Sequence, residues 1–170
     1  VSILYRAMSN DNTSVIGYAE SKNGKDLTFI ASEPVYTPRE SFEKKGVPNG
    51  NSGCEDPRLT RIGNNIYMCY TAYNGISPPA VAMTSISVSD FKKKNWKWKK
   101  PVLVTKDGVD DKDGCLHPEK VDGKYVLFHR VNNSICIDFG KTPEFNERND
   151  FKNIPILFPR EGLWDSVKVG

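Results

Sequence analysis

Two acidic side chains and an arginine stand close together in residues 53–60, Gly-Cys-Glu-Asp-Pro-Arg-Leu-Thr. Proline disfavours the helical backbone for the residue before it, so the sequence predicts an extended Asp56. In an extended chain Glu55 and Asp56 point to opposite faces, and Arg58 shares the face of Asp56. A carboxylate beside a guanidinium forms either a structural ion pair or part of a polar pocket, and the spacing alone favours the ion pair.

Basic side chains are grouped in a second polar segment farther along the chain. Lys120 closes a stretch of charged residues at 106–120, and His129 and Arg130 end the strand-like run that follows. Brought together, a lysine, a histidine and an arginine can bind an anion such as phosphate. The alternative is that the Asp-Gly pairs of this stretch are turns and that Lys120 is a solvated turn residue. Asp122-Gly123 is a hairpin-turn signal.

Residues 92–100, Lys-Lys-Lys-Asn-Trp-Lys-Trp-Lys-Lys, combine basic and aromatic side chains. Such a pattern can bind single-stranded nucleic acid. Strand alternation places Trp96 and Trp98 on one face and Lys97 and Lys99 on the other, which favours an edge strand with one packed and one solvated face. Acidic residues nearly balance the basic ones over the whole chain, 21 against 24, so we expect no nucleic-acid partner.

Three similar strand pairs provide the elements that would position these side chains. Each joins two apolar segments through a short polar loop, and the units recur roughly every 55–65 residues, a spacing found in propeller blades with generous loops. The pairs are residues 3–7 with 14–21, 65–72 with 80–85, and 124–130 with 134–138. Repeated hairpins with two apolar faces favour a β-propeller, because its blades stack on one another. A β-sandwich is the alternative.

The chain length allows about three such units in a single domain spanning residues 1–170. Closed propellers have four or more blades, and residues 163–170 have the pattern of a further strand. We therefore expect the chain to be part of a longer propeller. Unpaired strand edges pair readily with another chain, so a homo-oligomer is one expected arrangement.

Composition and cysteine content limit the remaining functional classes. The 170 residues are 38% hydrophobic with a net charge of +3, an ordinary globular composition. No apolar run approaches the ~18 residues of a membrane span, so no membrane partner is expected. The four cysteines lack a Cys-x-x-Cys pair and the two histidines lack zinc spacing, so no metal is expected. Free thiols would fit the cytoplasm, and one disulfide would fit the periplasm.

Five motifs in a fixed order, running through essentially the whole chain, resemble glycoside hydrolase family 130, the mannosyl phosphorylases and related mannosidases. They are Gly-Cys-Glu-Asp-Pro-Arg-Leu-Thr, Tyr70-Thr71-Ala72-Tyr73, residues 117–125, His129-Arg130 and residues 164–170, preceded by Leu4-Tyr5-Arg6-Ala7 and residues 17–21. The resemblance implies a five-bladed β-propeller whose active site lies in the central channel.

The resemblance also implies an inverting enzyme that cleaves β-mannosides. Asp56 would be the general acid, and phosphate or water would attack the anomeric carbon from the opposite face. The implied substrate-binding residues are those of the mannose subsite, Arg6, Arg58 and Tyr73, and those of a phosphate or acceptor site, Lys120, His129 and Arg130. The partner would be an oligosaccharide, and no cofactor is implied beyond inorganic phosphate as a co-substrate of a phosphorylase.

One position departs from the phosphorylases of the family. They tend to carry a phosphate-binding arginine just before the second strand of the middle repeat, where this chain has Ala80. The loss of such a charge-assisted contact, about 1.5–3 kcal/mol, shifts the expectation slightly from phosphorolysis to hydrolysis. The alternative outside the enzymes is a non-catalytic propeller that stacks sugars on Trp96, Trp98 and Tyr73. An isolated chain of three blades need not be active.

Overall fold

The computed structural model describes residues 1–145 and 150–170. These residues form eleven strands and one short helix, which confirms the all-β prediction. The elements are β1 (Ser2–Met8), β2 (Thr13–Ser21), β3 (Leu27–Ile30), β4 (Ser52–Ile62), β5 (Asn65–Tyr73), β6 (Ala80–Ser87), α1 (Val88–Lys92), β7 (Val102–Leu103), β8 (Asp111–Leu116), β9 (Tyr125–Val131), β10 (Ser134–Gly140) and β11 (Ile154–Leu157).

The chain divides into two compact units. The smaller unit comprises Val1–Pro57 and Ala72–Ser77, and the larger unit comprises Arg58–Thr71 and Pro78–Gly170. Strands β4 and β5 therefore each contribute to both units.

The smaller unit is built on the β1–β2 hairpin. The two strands pair antiparallel along their whole length, and β3 pairs antiparallel with the last residues of β2. The beginning of β4 runs parallel to the beginning of β2, with Thr13 opposite Ser52 and Ser14 opposite Gly53. Ile16, Tyr18 and Tyr36 are buried here. This arrangement holds the start of β4, and with it the acidic motif, against the hairpin.

Gly53 is required where β4 meets β2. Its φ is +116°, and a Cβ at this position would lie 2.1 Å from the carbonyl oxygen of Ser14. We expect Gly53→Ala to lower the free energy of unfolding by about 2–5 kcal/mol, because backbone strain and a clash with main-chain atoms add together. Urea denaturation measures the change.

Gly63→Ala is the matched control for this prediction. Gly63 also has a positive φ, +58°, but nothing lies within 4 Å of its hypothetical Cβ. Only the left-handed backbone then opposes the substitution, at about 1–2 kcal/mol. Equal losses in the two variants would show that the contact between Gly53 and Ser14 does not matter.

The larger unit contains two antiparallel groups of strands around one apolar cluster. Strands β4, β5, β6 and β7 are successive neighbours in one sheet, and the second sheet has the order β11-β10-β9-β8. The residues of the cluster come from both groups and from the segments that connect them: Tyr67, Cys69, Val81, Met83, Val104, Leu116, Leu127, Phe145 and Phe151. Their burial fixes β8 and β9, and β9 carries His129 and Arg130.

The three hairpins predicted from the repeats are present as β1–β2, β5–β6 and β9–β10. The predicted Asp122-Gly123 turn is also confirmed. Both residues have positive φ, 49° and 75°, as a type I′ hairpin turn requires.

The prediction of an edge strand at residues 92–100 is wrong. Its first residue ends the helix α1, and residues 95–100 form no strand. Ser87 caps this helix, because its hydroxyl accepts a hydrogen bond from the Asp90 backbone N–H. Trp98 is only 5% exposed and packs edge-on against Phe91. Both tryptophan rings therefore pack against Phe91 of this helix.

The predicted further strand at residues 163–170 is wrong as well. These residues form turns and bends, and the last strand of the chain's described part is β11. Apolar side chains are exposed on β3 in the smaller unit, among them Leu27 and Ile30, and on β11 in the larger unit, among them Ile156 and Leu157. No helix in the described ranges is both long enough and apolar enough to cross a membrane.

Candidate active site

Glu55 and Asp56 are placed in opposite environments within the smaller unit. Glu55 is buried, and its Oε1 lies 2.9 Å from Nη2 of Arg6, whose Nε donates to the Ser14 hydroxyl at 3.0 Å. Asp56 is exposed. The ion pair fixes the Arg6 guanidinium, which stays 34% exposed. The motif therefore offers one carboxylate committed to an arginine and a second that faces solvent.

The backbone of Asp56 differs from the prediction. Its φ is +51°, in the left-handed region, although proline follows it. The prediction of an extended Asp56 is therefore wrong, because the preference set by Pro57 is a local one that the packing of β4 outweighs. Asp is among the non-glycine residues that tolerate this region best. Such an unfavourable backbone persists only where the surroundings hold it, and it is often found at functional sites.

A second buried glutamate supports this strand from the loop after β3. Glu43 is fully buried and accepts hydrogen bonds from the Tyr36 hydroxyl at 2.7 Å and from the backbone N–H groups of Arg39 and Glu40 at 2.7 and 2.9 Å. Cys54 lies beside it. Burial, and then the Glu43 carboxylate, raise the pKa of the Cys54 thiol far above its usual range. Cys54 is therefore an inert packing residue that anchors the strand just before Glu55.

Tyr73 completes the predicted contribution of this unit. It is half-buried at the end of β5, where part of its side chain remains accessible.

Asp113 joins two of the predicted arginines in the larger unit. Its Oδ1 lies 3.3 Å from Nη2 of Arg58, and its Oδ2 lies 2.8 Å from Nη1 of Arg130. Two guanidiniums thus share one carboxylate, which leaves a local excess of positive charge. Nε of Arg130 is buried and has no hydrogen-bond partner among the described residues. This arginine cluster of Arg58, Asp113 and Arg130 is suited to binding an anion.

Sequence reasoning missed Asp113 because an Asp-Gly pair is the usual signature of a turn. In the structure it lies inside β8, with φ +57°, where the register between β8 and β9 shifts. An extra residue at such a shift redirects a side chain, here towards the two arginines. A sequence signal lies directly after it. The Gly-Cys-x-x-Pro pattern of residues 53–57 recurs at residues 114–118.

His129 is in the interior and not at a ligand-facing surface. Its Nδ1 lies 2.9 Å from Oδ2 of Asp111 and its Nε2 lies 3.1 Å from Oδ2 of Asp138, and all three residues are buried. Both ring nitrogens are engaged, so neither is available to a ligand in this arrangement. In this structure His129 therefore offers no ring nitrogen to a substrate, contrary to the expectation from the sequence.

The charges around His129 change its protonation. Burial by itself lowers the pKa of the imidazole, but hydrogen bonds to Asp111 and Asp138 and the charges of these carboxylates raise it to about 9. Asp111 also accepts from the Thr105 hydroxyl at 2.8 Å, and Asp138 accepts from the backbone N–H of Lys152 at 2.7 Å. At neutral pH this aspartate–histidine network holds a buried imidazolium that ties β8, β9 and β10 together.

Lys120 lies apart from the arginine cluster. Its ammonium nitrogen is 4.7 Å from the centre of the Tyr125 ring, at the first residue of β9. Arg130 is five residues farther along the same strand, a distance of about 17 Å. Lys120, His129 and Arg130 are therefore not grouped in this structure, contrary to the prediction, and Arg130 pairs with Asp113 instead.

The described residues contain no group of three or more His, Cys, Asp or Glu side chains that could hold a metal ion. The four cysteines are free thiols, and three of them are buried.

Comparison with known sequences identifies the family. Residues 1–170 match the family Glyco_hydro_130, described as beta-1,4-mannooligosaccharide phosphorylase. The chain is 33% identical over 157 residues to a beta-1,2-mannobiose phosphorylase of Thermoanaerobacter sp. (strain X514), covering 92% of this chain and 46% of that protein. It is 31% identical over 160 residues to a 1,2-beta-oligomannan phosphorylase of the same organism, covering 92% and 47%.

Solved structures agree with this assignment. The beta-1,2-mannobiose phosphorylase from Listeria innocua, solved in complex with beta-1,2-mannobiose, superposes with a TM-score of 0.66 at 25% identity, over 92% of this chain and 40% of that one. A glycosyl hydrolase from Bacteroides ovatus superposes with a TM-score of 0.74 at 24% identity, over 98% and 50%, and supports the fold alone.

The fold prediction is confirmed by these comparisons, since proteins of this family are five-bladed β-propellers. The chain spans about half the length of the curated relatives it matches. Its sequence, its strand pairs and its structural neighbours agree, and the chain belongs to glycoside hydrolase family 130.

Proposed function

We propose that this chain contributes to the catalytic domain of an enzyme that cleaves β-mannosides by phosphorolysis with inversion. Asp56 acts as the general acid and protonates the glycosidic oxygen as its bond to the anomeric carbon breaks. A phosphate oxygen forms the new bond to that carbon from the opposite face. The products are a mannosyl phosphate of inverted configuration and the shortened saccharide.

The environments of the two acids support the choice of Asp56. Glu55 is buried and paired with Arg6, so its charge is already used. Asp56 is accessible to a substrate, and its left-handed backbone is a strained feature of the kind that accompanies functional sites. Arg6 and Tyr73, both partly accessible in the same unit, are the proposed contacts to the mannose hydroxyls.

The arginine cluster is the observation that carries phosphorolysis. Arg58 and Arg130 face one carboxylate, and Arg130 keeps a buried donor without a partner. A phosphate oxygen would satisfy that donor and neutralise the excess charge. In this proposal the buried His129 network positions Arg130 through β9 and does not touch substrate.

Hydrolysis is the competing reaction, because the position of the family's additional phosphate-binding arginine holds Ala80. It requires a second carboxylate that activates water, ~6.5–9.5 Å from the first. Ala80 favours hydrolysis. The similarity to proteins named phosphorylases favours phosphorolysis and outweighs it in this proposal. A non-catalytic sugar-binding propeller is less supported, because the proposed platform loses Trp98 to the interior.

Phosphate dependence tests the proposal in the full-length protein. Cleavage of β-mannobiose should require inorganic phosphate and yield a mannosyl phosphate. Arg58→Ala should raise the KM for phosphate about tenfold or more, since a charge-assisted hydrogen bond contributes about 1.5–3 kcal/mol, while the KM for the mannoside changes less. Initial rates at varied phosphate measure both constants.

Arg61→Ala is the matched control, because Arg61 is an exposed arginine of the same strand, and its Nε donates to the nearby Gly63 carbonyl at 3.2 Å. Its phosphate KM should stay at the wild-type value. Equal cleavage without phosphate would instead assign the protein to the hydrolases.

A further inference from the structure

Three Asn-Gly pairs occur in the sequence, at residues 23–24, 49–50 and 74–75. All three lie in the smaller unit. An asparagine before glycine is open to attack by the next main-chain nitrogen, because glycine has no side chain to hinder the approach of that nitrogen to the asparagine Cγ. The three pairs differ in how firmly the fold holds the asparagine side chain.

The asparagines at positions 23 and 74 are held by their side chains. Oδ1 of Asn23 accepts from the backbone N–H groups of residues 25–26 at 2.9 and 2.8 Å, and its Nδ2 donates to Oδ2 of Asp26 at 2.8 Å. Oδ1 of Asn74 accepts from the backbone N–H groups of residues 76–77, each at 2.9 Å. The Cγ of either asparagine can turn towards the following nitrogen only when these bonds break.

Asn49 is exposed and its side chain is free to turn. Its main-chain carbonyl accepts from Nδ2 of Asn12 at 3.4 Å, but its side chain has no hydrogen-bond partner among the described residues. It follows a proline in the turn of residues 47–50, with φ +61°, at the position of a type II turn that requires a positive φ. One bond closes this turn, from the Gly50 N–H to the Val47 carbonyl at 3.2 Å, which is long for such a bond.

A lysine beside this turn favours the negative charge that an attack would create. Nζ of Lys45 donates to the Gly50 carbonyl, the next main-chain oxygen after the reacting nitrogen, and to the Asn12 carbonyl at 3.4 Å. A nearby cation favours the anionic form of an ionisable group. Lys45 therefore favours both the loss of the Gly50 N–H proton and a carboxylate at position 49.

We propose that Asn49-Gly50 is a site of spontaneous deamidation, with water as the co-reactant. The Gly50 nitrogen forms a bond to Cγ of Asn49, the bond from Cγ to Nδ2 breaks, and the Gly50 proton leaves with Nδ2 as ammonia. Water then opens the resulting succinimide ring at either of its carbonyls, which leaves aspartate or isoaspartate at position 49. Nothing is oxidised or reduced, and the reaction involves neither the sugar nor the phosphate of the proposed function.

Both products change this turn. Each places a negative charge near Lys45, and isoaspartate also adds a carbon atom to the main chain of a turn that a single hydrogen bond closes. The modified protein should therefore separate from the unmodified protein as a more acidic form on an ion-exchange column.

Mass spectrometry of the full-length protein tests the site. The folded protein is incubated in mildly alkaline buffer, and tandem mass spectra of digests taken over time measure the conversion of each asparagine. Asn49 should convert about tenfold faster than Asn23 and Asn74, because their side-chain hydrogen bonds must break before they react. The Asn49→Asp variant provides the standard for the aspartate product, from which the isoaspartate product is separated by chromatography.

Unfolding is the control that separates the effect of the fold from that of the sequence. In guanidinium the hydrogen bonds of Asn23 and Asn74 are lost, so all three Asn-Gly pairs should convert at similar rates.

Gly50→Ala is the second control. The φ of Gly50 lies outside the left-handed region, and an added Cβ would lie 3.4 Å from Cβ of Val47, an ordinary contact. The variant should therefore fold, while its methyl group hinders attack by the nitrogen. Its Asn49 should convert as slowly as Asn51, which precedes a serine.

Three results would overturn the site. Conversion of Asn49 in the folded protein no faster than that of Asn23 or Asn74 would show that its side chain is held as well. Undiminished conversion in Gly50→Ala would show that the Gly50 nitrogen is not the attacking group. The same preference for Asn49 in guanidinium would show that the neighbouring residues select it and the fold does not.

Discussion

Asp56→Asn is expected to lower the kcat for β-mannoside cleavage by about 10²–10⁴-fold, the usual contribution of a general acid. Asparagine has the same shape but cannot supply a proton. It also tolerates the left-handed backbone at φ +51°. Because the side chain is exposed, folding should be unaffected. Steady-state kinetics and circular dichroism of the purified full-length variant measure the two effects.

The dependence of the cleavage rate on the leaving group distinguishes a general acid from a residue with a structural role. An aryl mannoside departs without much protonation, so the loss in Asp56→Asn should be far smaller on that substrate than on β-mannobiose. Glu55→Gln is the neighbouring control. It weakens the ion pair with Arg6 and should raise the KM for the mannoside without this dependence on the leaving group. An equal loss on both substrates would contradict the role of Asp56.

His129→Ala is expected to lower the free energy of unfolding by about 3–5 kcal/mol, the cost of leaving buried charges without their partner. The substitution removes both hydrogen bonds at once, so Asp111 and Asp138 would face each other across a void. Guanidinium denaturation at pH 7 measures the loss. His117→Ala is the matched control, since its half-buried ring hydrogen-bonds the main chain of nearby Glu119 and lies 6.2 Å from the Phe128 ring without pairing with a buried charge, so a loss below about 1 kcal/mol is expected.

The same network predicts how stability depends on pH. The pKa of His129 is about 9 in the folded protein and about 6.5 when unfolded, so the folded state binds the proton more tightly. The resulting stabilisation, about 3 kcal/mol, is fully present below pH 6.5 and is lost as pH rises through 9. The thermal unfolding midpoint of the wild type should therefore decrease as the pH is raised from 7 to 10. The midpoint of His129→Ala should change much less over the same range. If the unfolding midpoints of the two proteins changed equally with pH, His129 would not be a buried imidazolium.

The sequence predicted the strand pairs well because their signals are local. Alternating apolar residues placed β1–β2, β5–β6 and β9–β10, and the Asp122-Gly123 pair placed a turn whose two residues both have positive φ. The prediction failed at residues 92–100, where tryptophans two residues apart suggested a strand. Trp98 instead packs on Phe91 of helix α1 from an irregular segment. Periodicity over so few residues does not separate a strand from an irregular segment that is buried on one side.

The candidate site was only partly predictable. Motif order pointed to Asp56, Arg58 and Arg130. Glu55 is buried and Asp56 is exposed, so the two acids do face opposite environments, although Asp56 lacks the extended backbone from which this was predicted. Asp113 was hidden in a turn-like pair, and Lys120 was grouped with residues that lie at the other end of β9. Sequence proximity to a motif did not decide which charges meet.

By itself the sequence determined the hairpins, the family and the acidic motif, because each depends on residue order over a few positions. Only the tertiary structure decided that Asp113 bridges Arg58 and Arg130 and that His129 is buried between Asp111 and Asp138. The physical reason is the register of the strands. A single shift between β8 and β9 and one left-handed backbone at Asp113 redirect side chains, and neither follows from the preferences of the individual residues.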